Sequence, residues 1–234
     1  PTTIPTSAAA VQQPPNADEE SHTRTVLSAL GYDETVAYSF ISREEAKQFG
    51  KAEAVAIRNP VSELWTVMRN TVGPTMIRAL VWNLNRSEPD VKLMEIGRLY
   101  MRDKGHFCEP PVLVLGACGM ARQPTLGDTG KEFDFYDLKS DVQCLLRGFQ
   151  IEQLTFETSD LPDYYQLGQS ASIGANGSTI GYLGLLDPKI AASRKIRSAV
   201  FIAEIELDHL WEVGLRPRIF QVTPKVPASH RDFS

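Results

Sequence analysis

The sequence contains none of the short signatures of common chemistries. It has no phosphate-binding glycine loop, no GxGxxG, no HExxH and no paired-cysteine metal motif. Its three cysteines, Cys108, Cys118 and Cys144, lack metal-ligand spacing. An odd number of cysteines fits reduced thiols in a cytoplasmic setting better than a disulfide framework. No run of about 18 apolar residues exists, so no helical membrane span is expected. The N-terminus lacks the charged and apolar regions of a secretory signal. An excess of basic residues is missing too: 24 Lys and Arg stand against 29 Asp and Glu, for a net charge of -5. That balance argues against broad nucleic-acid binding through this piece. The four histidines are scattered singly and read as surface or structural residues. Ser170, in LGQSA, lacks the GxSxG spacing of a nucleophile elbow. The glycines at 174, 177, 181 and 184 read as a hairpin and close packing rather than a phosphate cradle. Asp134 and Asp137, and Glu204 and Glu206, are close in sequence. The latter two share a strand face, where exposed acids are commoner than a catalytic pair.

What is present is a globular composition: 234 residues, 42% hydrophobic and 23% charged. The first twenty residues are rich in Pro, Thr, Ala and Gln and read as a linker. The last, VTPKVPASHRDFS, begin something strand-like and stop, so a fragment of a longer polypeptide is expected. Between them, Ser21–Leu30 reads as a helix with Gly31 as its stop, and Glu34–Ile41 as a strand. Ser42 caps a short helix, Arg43–Phe49, and Ala54–Ile57 is a short strand. Gly73-Pro74 opens a helix through Arg86, with Met76, Ile77, Leu80, Val81 and Leu84 on one face. Val91–Tyr100 alternates as a strand. Met101–Gly105 forms a hairpin-like turn, Val112–Leu115 continues to Gly119 as a buried strand, and 123–130 is a loop. Asp137–Leu146 is an amphipathic helix and Gln153–Glu157 a strand. Asn176-Gly177 between apolar runs signals a hairpin. Asp187-Pro188 starts a short helix, Ala199–Leu207 is a strand, and Asp208–Leu210 is a turn or short helix. Strands in runs with irregularly placed helices predict an antiparallel α+β domain.

Six segments, taken in order, carry a resemblance. They are LGYDETVAYSFI, NPVSELWTVMRNTVGPTMIRALVWNLNR, KLMEIGRLYMRD, FYDLKSDVQCLL, LGQSASI with TIGYLGLLDP, and FIAEIELDHL. Together they resemble the catalytic-like core of the beta subunit of bacterial phenylalanyl-tRNA synthetase. The resemblance implies a class II synthetase fold, a mostly antiparallel sheet flanked by helices. It implies a linker over 1–20, a non-catalytic core over 21–218, and over 219–234 the truncated start of an anticodon-binding ferredoxin-like domain. It further implies an (αβ)2 heterotetramer in the cytoplasm that charges tRNA(Phe) with phenylalanine, using ATP and magnesium, with the active site in the alpha subunit.

Within that resemblance, the arginine that an active class II enzyme sets on the ATP α-phosphate falls at the position after Tyr100. Here that position is Met101, whose thioether donates no hydrogen bond to phosphate. The return strand EPPVLVLGACG lacks the acidic residue that usually follows. GYLGLLDPK has Asp-Pro where the third motif's helix begins. The His-Pro-Gly-Arg-Ser-Ala-like run of the beta family is here Gln166-Leu167-Gly168-Gln169-Ser170-Ala171. The first three departures imply that the piece is inactive by itself, with no catalytic or cofactor-binding residues of its own, while the fourth leaves the fold intact and removes only the contact of the replaced arginine. The resemblance places the magnesium-binding acids of longer beta chains in the preceding domain, so no metal-binding residue is expected here. The helix Ser21–Leu30, the strand Glu34–Ile41 and the helix Pro74–Arg86 are the elements expected against the alpha subunit. Trp65, Met68, Arg69, Trp82 and Asn83 are the interface residues expected, because Trp, Met and Arg are enriched at interface centres. Two other readings stay open: an independent class II-like adenylating enzyme, and an RNA- or peptide-binding module.

Overall fold

A computed structural model of the chain describes residues 13–50, 52–217 and 219. The expected segment 219–234 therefore lies outside the described residues apart from Ile219, as do residues 1–12 of the expected linker. The frame is a seven-stranded sheet. Its strands in chain order are β1 (Asp33–Glu34), β2 (Val91–Arg98), β3 (Pro111–Cys118), β4 (Leu154–Glu157), β5 (Tyr165–Ala175), β6 (Ser178–Leu186) and β7 (Val200–Glu206). Their spatial order is β1-β2-β3-β7-β6-β5-β4. Only the β1–β2 pair is parallel; all the others are antiparallel. Every residue of β3 is buried, as a central strand covered on both faces requires. The β5–β6 turn is Asn176-Gly177, both at positive φ (50° and 86°), the geometry that an Asn-Gly hairpin supplies.

The helices are α1 (Ala17–Ala29), α2 (Arg43–Phe49), α3 (Gly73–Leu84), α4 (Phe135–Leu146), α5 (Pro188–Ser193) and α6 (Leu207–Val213). One sheet face carries α1, α4 and α6, which bury Leu27, Leu138, Val142, Leu145, Leu146, Leu207 and Leu210 against Leu113, Leu115 and Ile205. The other carries α3, whose Met76, Ile77 and Leu80 pack with Phe49 of α2 on Val112, Val114 and Ile202. Both faces are apolar because the sheet is a middle layer.

Two readings of the sequence need correction. α1 starts at Ala17, four residues before Ser21, with Asn16 in the left-handed region (φ 63°) and no side-chain cap. The expected strand Glu34–Ile41 is broken: its start belongs to β1, while Phe40–Ile41 pairs with Val67–Met68 outside the main sheet. The physical reason lies in Val36 and Tyr38, which are 90% and 69% exposed and leave the sheet rather than packing on it. Of the turn or short helix expected at Asp208–Leu210, the structure shows the short helix, α6.

Candidate functional site

Two concave regions flank α3. The first is a cavity of about 190 Å³ on the α3 side of the sheet. Glu95, Val114, Glu204, Tyr182, Ser172 and Glu157 are successive cross-strand partners, which makes a largely polar row across an otherwise apolar face, and two of them, Glu204 and Tyr182, reach the cavity as its floor. The walls include Phe49, Asn70, Leu99, Met101, Val112 and Tyr164.

Glu204 is the centre of this floor. It is closely surrounded, and its residue keeps some surface open to the cavity. Its carboxylate accepts from the Tyr164 hydroxyl (3.3 Å), from the Thr71 hydroxyl (3.5 Å) and from the backbone N–H groups of Val72 and Gly73. Those amides open α3, whose N-cap Val72 has no capping side chain. A carboxylate from a distant strand thus caps the helix and meets the positive end of its dipole. Burial outweighs these four donors and pushes the Glu204 carboxyl up from 4.5 to about 7. Burial and the neighbouring Glu204 charge push the Tyr164 phenol well above its ordinary value. Glu204 is therefore not the exposed acid that its strand position suggested. The only local hint of its role is the missing Ser, Thr, Asp or Asn before Gly73-Pro74.

Met101 lines the same cavity. Arg102 beside it is exposed and stacks over the Phe107 ring at 4.6 Å. Among the described residues, the cavity lining contains Glu204 and Glu206 and neither Lys nor Arg. This donor set does not fit a nucleoside triphosphate, whose charge would be repelled by the floor and matched by nothing on the walls. The described residues also contain no group of three or more His, Cys, Asp or Glu able to hold a metal ion.

The second region is an open groove of about 750 Å³ on the outer side of α3. It gathers Val36, Ala37 and Tyr38 from the stretch between β1 and Phe40, Leu64 and Trp65 from the loop after Pro60, and Ala79, Trp82 and Asn83 from α3. Trp82 is 61% exposed and Leu64 68%. Tyr38 leans on Trp65 with ring centroids 5.3 Å apart, and the Arg86 guanidinium lies over the Trp82 ring at 3.1 Å. The groove floor is fixed by charge: Glu45 of α2 accepts from Arg78 (2.8 Å) and Arg194 (3.2 Å). Burial opposes ionisation of Glu45, but the Ser42 N–H and the two arginines outweigh it and hold the carboxyl below its ordinary value.

Of the five residues singled out in the sequence, Trp65, Trp82 and Asn83 meet in this groove. Met68 stands behind it, paired with Phe40. Arg69 is buried, 3% exposed, and its Nη1 lies 2.7 Å from Glu95, itself 3% exposed. Its Nε donates to the Arg98 carbonyl (2.9 Å). A Cβ at position 97 would run into the Arg69 guanidinium, so Gly97 is required there. The Arg69 main chain joins the two regions: its N–H donates to Ser39 on the groove side, and its carbonyl accepts from Tyr100 beside Met101.

Comparison with known proteins fits this geometry. Residues 1–207 match the family model described as the phenylalanyl tRNA synthetase beta chain CLM domain. The chain is similar to the phenylalanine–tRNA ligase beta subunits of Pseudomonas putida (32% identity over 90% of this chain), Legionella pneumophila strain Lens (30% over 92%) and Thermotoga maritima (27% over 89%). It spans 26%, 27% and 26% of their lengths. A solved pyrrolysyl-tRNA synthetase from Desulfitobacterium hafniense shares the fold, with a TM-score of 0.63 at 14% identity, covering 85% of this chain and 68% of that one. The architecture is thus a class II synthetase-like core, mostly antiparallel and flanked by helices.

Proposed function

We propose a function from one premise: this chain belongs to the phenylalanyl-tRNA synthetase beta chain family, through its CLM domain. In this reading the piece is the non-catalytic core of the beta subunit. It holds an alpha subunit that charges tRNA(Phe) with phenylalanine in a cytoplasmic (αβ)2 heterotetramer. ATP and magnesium then serve the assembled enzyme rather than this piece. Residues 21–218, extended back to Ala17 by the observed start of α1, act as the docking core, with the residues before them as a linker and 219–234 as the truncated start of an anticodon-binding ferredoxin-like domain.

The observation that carries the reading is a contrast across α3. The cavity that would hold a nucleotide in an active enzyme has no cation in its described lining, whereas the outer groove exposes Val36, Tyr38, Leu64 and Trp82 together. Clustered exposed aromatic and aliphatic side chains beside an arginine are the composition of an interface centre. Trp65, Trp82 and Asn83 are proposed to touch the alpha subunit. Arg69 and Met68 support them from behind.

The test is to mix the folded chain with the alpha subunit of the same synthetase and measure the mass of the product by light scattering. A stoichiometric complex is expected, and a folded chain that leaves the alpha subunit unbound overturns the proposal. Pyrophosphate exchange by the chain alone, dependent on an amino acid, would favour an independent adenylating enzyme instead.

A further inference from the structure

Charge is spread unevenly over this acidic chain. Against a net charge of -5, residues 189–197 carry Lys189, Arg194, Lys195 and Arg197 and no acid. Arg194 is committed to Glu45. Lys195 and Arg197 are exposed, and neither side chain has a hydrogen bond or ion pair among the described residues. Between them Ile196, 8% exposed, packs into the core under α3. The two cations share an open concavity of about 590 Å³ with Asn85, Ser87 and Ser198, and no acid lines it. Asp90, near by in the chain, is held by the Met120 N–H and by Gln123.

Two helix ends meet here, and both break a local rule. At the end of α3, the Ser87 N–H donates to the Leu84 carbonyl and the Glu88 N–H to the Asn83 carbonyl, each at 3.3 Å. At the end of α5, the Lys195 N–H donates to Ala192 (3.0 Å) and the Ile196 N–H to Ala191 (2.9 Å). This pair of bonds puts one residue in the left-handed region, where glycine is cheapest. The residues found there are Ser87 (φ 65°) and Lys195 (φ 60°). Each holds a strained backbone, and both line the same concavity with a polar side chain. Ile196 supplies the apolar contact that completes the motif, so the cations flank a fixed anchor. The helix ends bring a partial negative charge that one cation would offset; two cations exceed it.

We propose that this face grips the phosphate backbone of an RNA. Lysine and arginine tips with hydroxyl and amide donors contact phosphate and ribose without reading bases. A protein partner fits less well, because the lining has no aromatic side chain and its Val81, Leu84 and Ile196 are buried or half-buried. The choice of RNA among polyanions rests on the reading of the chain as part of an RNA-charging assembly.

The experiment uses the full-length protein, with and without the alpha subunit, and titrates a tRNA(Phe) transcript by fluorescence anisotropy from about 50 to about 200 mM salt. Replacing Lys195 by Gly and Arg197 by Gln together should lower the slope of log affinity against log salt by about 2 and weaken low-salt binding about tenfold. Lys195→Gly alone has a sharper signature. Glycine relaxes the left-handed backbone, so the unfolding midpoint should rise while the salt slope falls by about 1. A lysine with a purely structural role would give the first change without the second. Arg122→Gln, at an exposed arginine paired with Asp128, should leave the slope unchanged, and an equal change from it overturns the assignment. An unchanged slope in the double variant, or no RNA binding by either preparation, also overturns it. So does a loss of alpha association in place of RNA affinity, which would make the face a protein contact. Light scattering on the same samples keeps the readings apart. If no complex forms, the docking proposal fails, and the slopes of the free protein still decide this one.

Discussion

The cavity and the groove share α3 as a common wall but are built from opposite materials. On the sheet side, a carboxylate, two hydroxyls and backbone amides close on one another around the start of the helix. On the outer side, Trp82 and Tyr38 are exposed, with the Arg86 guanidinium over the Trp82 ring and the Glu45–Arg78–Arg194 cluster on the floor. One side has its polar groups directed at the protein itself. The other leaves Val36, Tyr38, Leu64 and Trp82 largely exposed. The shape of the cavity rests on internal bonds such as Arg69–Glu95 and Glu204–α3, whereas the exposed side chains of the groove rim make none of these.

The sharpest way to break this contrast is to remove the joint between the two regions. Arg69→Ala leaves Glu95 buried without its cation and should cost about 3–5 kcal/mol of unfolding free energy, read by urea denaturation. Replacing both partners by apolar residues of similar volume should recover most of that loss. A single-mutant cost below about 1 kcal/mol would mean that the pair is a surface-like contact and that the regions are not joined through it.

A slightly smaller effect should come from the floor of the cavity, and it has a sign. Glu204 has a folded value of about 7 against an ordinary 4.5, so the folded state holds its proton more tightly than the unfolded chain. Its favourable contribution is complete below pH 4.5 and is lost as pH rises through 7. The cumulative loss is about 3 kcal/mol. Glu204→Gln should therefore flatten the stability profile over that window, whatever its offset at low pH. Identical slopes for the two proteins would show that Glu204 titrates in the fold as it does in the unfolded chain.

On the groove side the expected effect is on binding and not on folding. Trp82→Ala should weaken association with the alpha subunit by about 2 kcal/mol, roughly thirtyfold, while shifting the unfolding free energy by less than about 0.5 kcal/mol. Surface plasmon resonance and denaturation on the same sample separate the two. A destabilised but fully binding variant would make Trp82 a packing residue and erase the contrast.

How far these features could be read in advance follows the range of the interactions that make them. Ser42 and Glu45 form a capping box three residues apart, and α2 begins and ends where that local signal says. Asn176-Gly177 was equally local. The Glu204 cap was illegible because its partner Thr71 is 133 residues away, so only the lack of a local cap at Val72 could have hinted at it. The break at Val36–Tyr38 failed for a related reason. β-branched and aromatic residues signal a strand when they pack on a sheet, and the same residues signal an exposed patch when they do not. Met101 was legible only through the resemblance, since nothing in its own neighbourhood marks it as lining a cavity. Of the residues picked for a partner, Trp65, Trp82 and Asn83 come together in the groove, whereas Arg69 has its fork turned inward to Glu95. Residue type alone does not distinguish an arginine that faces a partner from one that faces a buried acid.

The smallest change worth making lies on the element that touches both regions. α2 sends Phe49 into the cavity wall and Glu45 into the groove floor, and its first turn is held by Ser42. Ser42→Ala removes the side-chain acceptor for the Glu45 N–H and should cost about 1 kcal/mol of stability. Glu45 would keep its arginines but lose the constraint on its backbone, so Arg78 and Arg194 would hold the groove floor less firmly. The affinity for the alpha subunit should then fall by a factor of a few, far less than for Trp82→Ala. If Ser42→Ala instead matches Trp82→Ala in binding, the groove is organised by its charged floor rather than by its aromatic rim. The division between an inward-bonded cavity and an apolar docking face would then have to be drawn through α2 rather than through α3.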